Sequence, residues 1–84
     1  MARFTVSWNP AIQADLARIW NVAPDKEDVR RAADLIDRRL AADPLSGSVE
    51  LREGLYKLTV PPMRVLFELR LADRLVEVVN VIRV

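Results

Sequence analysis

The chain has no cysteine and no histidine. Without cysteine there is no disulfide framework and no thiol nucleophile. Without histidine the commonest general base, the commonest metal ligand and every Ser-His or Cys-His relay are missing. A zinc site would have to be built from carboxylates alone, which zinc chemistry disfavours, so no metal or cofactor is expected. Long apolar runs are also missing: the longest are three or four residues, far short of a membrane span. The opening Met1-Ala2-Arg3-Phe4 has no apolar core of a secretory signal, so the expectation is a soluble cytoplasmic protein. Lysine is scarce as well. Of 13 basic residues only Lys26 and Lys57 are lysine, and the rest are arginine, whose planar fork suits phosphate and carboxylate.

What is present is globular. The 84 residues are 51% apolar and 30% charged, with a net charge of +1. One domain over residues 1–84 follows from that size. A chain so short buries only about 60–65% of its unfolded surface, so its core is thin and leaves little room for a deep pocket. The near-neutral charge does not by itself announce a nucleic-acid binder.

Hydrophobic periodicity orders the chain. Phe4, Val6 and Trp8 alternate with Arg3, Thr5 and Ser7, the period of a half-buried strand. Asn9-Pro10 is a helix start, with Asn as cap and Pro at the first helical position. Ile12, Leu16, Ile19 and Trp20 then recur at helical spacing, predicting a helix over 10–21. Ala23-Pro24 breaks it, and Asp25 is positioned to cap a second helix with Val29, Ala32, Ala33, Ile36 and Leu40 as its apolar stripe. Asp34 and Arg38 are an expected i,i+4 pair on its solvated face, and Asp34, Asp37 and Asp43 read as surface charge rather than metal ligands. Asp43-Pro44 ends this helix. Ser46-Gly47-Ser48 reads as a loop, and strands are predicted over 49–53, 55–60, 63–70 and 75–84, with turns at Pro61-Pro62 and Ala72-Asp73-Arg74.

The order β-α-α-β-β-β(-β) predicts an α+β domain: an antiparallel sheet with a two-helix hairpin packed on one face. The strand faces bearing Phe4, Val6, Trp8, Tyr56, Leu58, Val60, Val65, Phe67 and Leu69 are the apolar ones and should meet the helices. The uncovered face would then present Arg3, Thr5, Lys57, Thr59, Arg64, Glu68, Arg70, Glu77 and Arg83, with Leu55, Leu66, Val79 and Val81 between them. Both faces of the last strand are apolar, so the register there, and with it the direction of Arg83, rests on a single residue of slip. Trp8 and Trp20 are expected in the core, and Tyr56 in the core with its hydroxyl at the rim. Glu68, flanked by basic residues, is a poor candidate for a general base.

Phe4-x-Val6-x-Trp8-Asn9-Pro10, then Asp15-Leu16 and Ile19, Ile36-Asp37-x-x-Leu40, Asp43-Pro44, Leu51-Arg52, Arg64-Val65-Leu66-Phe67-Glu68-Leu69 and Asp73-Arg74-Leu75-Val76-x-Val78-x-x-Val81 together resemble the RelE/ParE superfamily of type II toxins, also called plasmid stabilisation proteins. The resemblance spans almost the whole chain. It implies a toxin that pairs with a small antitoxin. RelE-like members cleave mRNA in the ribosomal A site as mRNA interferases, inhibiting translation, and ParE-like members inhibit DNA gyrase without nuclease residues. By position it implies Arg64 as the contact to the scissile phosphate, Lys57 and Arg83 as further catalytic residues, and Arg52, Arg64 and Arg70 as RNA- or phosphate-binding residues. The sequence departs from the family pattern at Thr59, where a second lysine is usual, and at Phe67, where a tyrosine is usual. Translation inhibition by ribosome-dependent mRNA cleavage is the leading expectation. A gyrase inhibitor and a non-catalytic binding module of the same fold are the alternatives. Self-association through the bare mixed face, giving a homodimer when no antitoxin is bound, is also expected.

Overall fold

In the computed structural model, which describes residues 3–84, each helix begins where the sequence provides a start signal. β1 (Thr5–Trp8) runs into Asn9, whose side-chain oxygen accepts a 3.0 Å hydrogen bond from the Ile12 N–H. Pro10 then opens α1 (Pro10–Val22). The helix stops at Ala23, forced into extended backbone by Pro24. α2 (Lys26–Ala42) follows with Glu27 and Asp28 in its first turn, where the helix dipole favours negative charge.

Three expectations about the helices are corrected. Asp25 occupies the cap position of α2 without a side-chain cap bond; its carboxylate is held by Arg83 instead. The Asp34–Arg38 pair does not form, and the ion pairs on α2 are i,i+3, Glu27–Arg30 and Asp28–Arg31. Trp20 is 40% exposed rather than buried, with the Lys26 ammonium 5.4 Å from its ring centre. It lies on the last turn of α1 and lines a hollow along the seam between the helices with Leu16, Val29 and Ala33.

β2 (Val49–Arg52), β3 (Leu55–Val60), β4 (Met63–Arg70) and β5 (Leu75–Arg83) form a meander, and the sheet order is β1-β5-β4-β3-β2. Tight turns make every pair within the meander antiparallel. β1 joins β5 in parallel, so the sheet is mixed rather than wholly antiparallel. Hairpin turns place no constraint on β1. A parallel pair needs a long crossover, and the helices and meander between β1 and β5 supply one.

α2 buries Val29, Ala32, Ile36 and Leu40 against Leu58, Met63, Val65, Phe67, Val76, Val78 and Val81 of the sheet. α1 adds Ile12, with Leu16 and Ile19 packed at the margin. Phe67 lies on the central strand with no exposure, and Tyr56 stacks on it at 5.5 Å between ring centres. Burial, with the Glu50 carboxylate beside it, pushes the Tyr56 hydroxyl above its ordinary value. Trp8 packs at the core edge and donates its indole N–H to Asp37 at 2.9 Å. Gly54, with φ +80°, makes the β2–β3 turn, a backbone conformation that a side chain would strain. Among the described residues no helix is long and apolar enough to cross a membrane.

One irregularity decides the site. Between β4 and β5 the register jumps: Leu66 faces Asn80 but Phe67 faces Val78, leaving Val79 as the extra residue of a β-bulge. Before the bulge Val76 and Val78 point at the helices. After it Val81 does so again, while Asn80 and Ile82 turn to the other face.

Candidate functional site

Residues paired across neighbouring strands share a face of the sheet, so the register lays out the uncovered side as four rows. Thr59, Arg64 and Ile82 form the first, at the β3–β4 turn. Val49, Lys57, Leu66 and Asn80 form the second. Arg52, Leu55, Glu68, Glu77 and Ser7 form the third. Arg70, Leu75 and Thr5 form the fourth. No element of the described chain covers these rows. The face carries Arg52, Lys57, Arg64 and Arg70 against Glu68 and Glu77, four positive and two negative side chains.

The charges are not evenly matched. Arg70 reaches Glu77 at 3.4 Å, and Arg52 reaches Glu68 at 3.9 Å. Both pairs are solvent-exposed, the kind worth about 0–1 kcal/mol. Lys57 and Arg64 have no ion pair and no side-chain hydrogen bond among the described residues. They are diagonal neighbours on β3 and β4, a spacing of about 7–8 Å. Thr59 lies directly across from Arg64 and Asn80 diagonally beside it. An ammonium, a guanidinium, a hydroxyl and an amide therefore share one small area, where neither cation is tied into an ion pair among the described residues. Such a group of donors can bind a phosphate and stabilise negative charge that develops on it.

Arg83 is not part of this group. The bulge puts it in register with Met63 on the helix-covered face. There Asp25 Oδ2 accepts a 2.8 Å hydrogen bond from Nη2, and Oδ1 lies 2.7 Å from Nη1. Hydrogen bonding by Arg83 holds the Asp25 carboxyl below its ordinary value of 3.8, and Asp25 raises Arg83 in turn. Val81 is likewise on the covered face, buried against the helices, not on the open one. Of the residues singled out in the sequence, the fold thus brings Lys57 and Arg64 together, sets Arg52 and Arg70 in ion pairs at the other end of the same face, and removes Arg83. Asn80 is the group that regular alternation misses. The apolar spacing Val76, Val78, Val81 is its trace in the sequence.

Three hollows among the described residues lie elsewhere. Two hollows of about 330 and 360 Å³ follow the seam between the helices, lined by Trp8, Leu16, Trp20, Ala33, Asp34 and Asp37 among others. A third, of about 450 Å³, lies between α2 and Pro61-Pro62. None includes Lys57 or Arg64. A cationic group on an open sheet suits a large ligand laid across it better than a small molecule enclosed by it.

A helix pair covers one face of a five-stranded mixed sheet, and the other face is bare and partly cationic. A chain of the toxin–antitoxin complex RelBE2 from Mycobacterium tuberculosis has this fold, with a TM-score of 0.78 over 98% of this chain and 99% of that one, at 18% sequence identity. No protein-family model matches the sequence. No curated protein matches it either.

Proposed function

We propose that the protein is the toxin of a type II toxin–antitoxin pair and that it inhibits translation by cleaving mRNA on the ribosome. The observation that carries this reading is the pair of cations without carboxylate partners, Lys57 and Arg64, on the bare face of a fold shared with a component of a toxin–antitoxin complex. The partner is an antitoxin that covers this face.

The chemistry that suits these residues needs no histidine. A ribose 2′-hydroxyl attacks the adjacent phosphorus in line, forming the O2′–P bond and breaking P–O5′. Arg64 meets the added negative charge on the non-bridging oxygens. Lys57 donates a proton to the departing 5′-oxygen, and the 2′ proton passes to water. Arg52 and Arg70, paired with Glu68 and Glu77, lie at the other end of the face. Arg83, tied to Asp25, contributes by fixing the last strand to the start of α2 rather than by touching RNA.

A second reading has a specific observation in its favour. Thr59 stands where the resembling nucleases place a second lysine, which leaves the set of acids and bases short. A protein of this fold that inhibits DNA gyrase by binding alone has no need of that lysine. Inducible expression with pulse labelling separates the two. Loss of amino-acid incorporation before thymidine incorporation, with new 5′ ends in ribosome-bound mRNA, is expected. Arrest of DNA synthesis first, with mRNA intact, overturns the nuclease reading in favour of gyrase. Unimpaired growth overturns both. Arg64→Ala is expected to abolish growth inhibition, and unchanged toxicity removes Arg64 from the mechanism.

A further inference from the structure

Glu68 and Glu77 face each other directly across β4 and β5. Like charges in that position destabilise a sheet. Here each carboxylate is flanked by an arginine, Arg52 beside Glu68 and Arg70 beside Glu77. The four side chains sum to zero charge and occupy the end of the face away from the β3–β4 turn. Lys57 stands at the border, diagonal both to Glu68 and to Arg64. At that spacing of about 7–8 Å, Glu68 acts on it within one Debye length at physiological salt, about 8 Å.

We propose that Glu68 and Glu77 are specificity-determining residues that confine contact with single-stranded RNA to the Lys57–Arg64 half of the face. They do so by keeping Arg52 and Arg70 in ion pairs. The proposal rests on the reading of the face as an RNA-binding surface. An arginine and the carboxylate paired with it carry no net charge together, so the carboxylate repels an approaching phosphate while the guanidinium attracts it. Only the two unpaired cations then neutralise phosphates and release counterions. The protein therefore holds one short stretch of backbone, around one scissile bond, instead of tracking a strand across the whole sheet. Relief of the two negative charges would double the footprint from two cations to four.

The salt dependence of binding counts that footprint. For single strands the slope of log K against log salt is about −0.7 per phosphate neutralised. Anisotropy of a labelled oligouridylate, titrated with purified full-length protein over a KCl series, should give a slope of about −1.4 for the native chain. Glu68→Gln/Glu77→Gln, isosteric changes at solvent-facing positions, should steepen it to about −2.8. Lys57→Ala/Arg64→Ala should abolish binding. Thermal melts of each variant check that the fold is kept. A native slope already near −2.8, a Gln variant no steeper than the native chain, or persistent binding by the Ala variant each overturns the confinement while leaving RNA binding in place. Absence of binding by the native chain and the Gln variant alike overturns the RNA reading, and the confinement with it.

Discussion

Arg64 and Arg83 lie one row apart on neighbouring central strands, and they point in opposite directions. Arg83 points to the helices, where it makes a two-pronged contact with Asp25, 58 residues away in the chain. Arg64 points to the bare face, where nothing in the described chain answers it. The residue type is the same and the strands are adjacent, so the difference comes from strand parity and one bulged residue. The covered face uses charge as a tie between distant segments. The open face leaves charge unspent, and unspent charge is what a ligand can use.

Three substitutions test how far that contrast extends, in decreasing order of expected effect on stability. Phe67→Ala removes a fully buried ring at the centre of the covered face and should cost about 3–5 kcal/mol in urea unfolding. For a domain this small, that is a large part of its total stability. A cost near zero would show that the sheet and helices are not packed through β4. Asp25→Asn weakens the tie to Arg83. Because Asp25 is held below its ordinary value when folded, its contribution is complete above about pH 4 and is lost as pH falls through the folded pKa. The variant should therefore melt below the native protein at pH 7, and the gap should close toward pH 2; a gap independent of pH would mean the ion pair does not hold β5 to α2. Arg64→Ala should leave stability within about 0.5 kcal/mol of the native chain, while abolishing growth inhibition. A large destabilisation there would mean that Arg64 is structural, and the contrast between the faces would fail.

Much of the fold was legible because its signals are local. Asn9-Pro10 starts α1, Ala23-Pro24 ends it, the stripe from Val29 to Leu40 places α2, and alternation places β3 and β4 with their faces correct. Lys57 and Arg64 were legible for the same reason, since both belong to strands with unbroken alternation. Arg83 was not. Its strand is apolar on both sides, and the bulge at Val79 is set by pairing with β4, which no property of residues 75–83 alone requires. Trp20 has the right spacing for a core residue, yet it lines an open hollow between the helices, a placement that periodicity along one helix does not reveal. The parallel pairing of β1 was invisible, because the strands that pair are separated by nearly the whole chain.

By itself the sequence determined the elements, their order and the two-sided character of each strand, because these follow from backbone preferences and from side-chain alternation over a few residues. Only the tertiary structure decided which cations are spent and which are free. Ion pairing at Glu68, Glu77 and Asp25 depends on register between strands and on the approach of a helix end, and those are distances that no local pattern encodes.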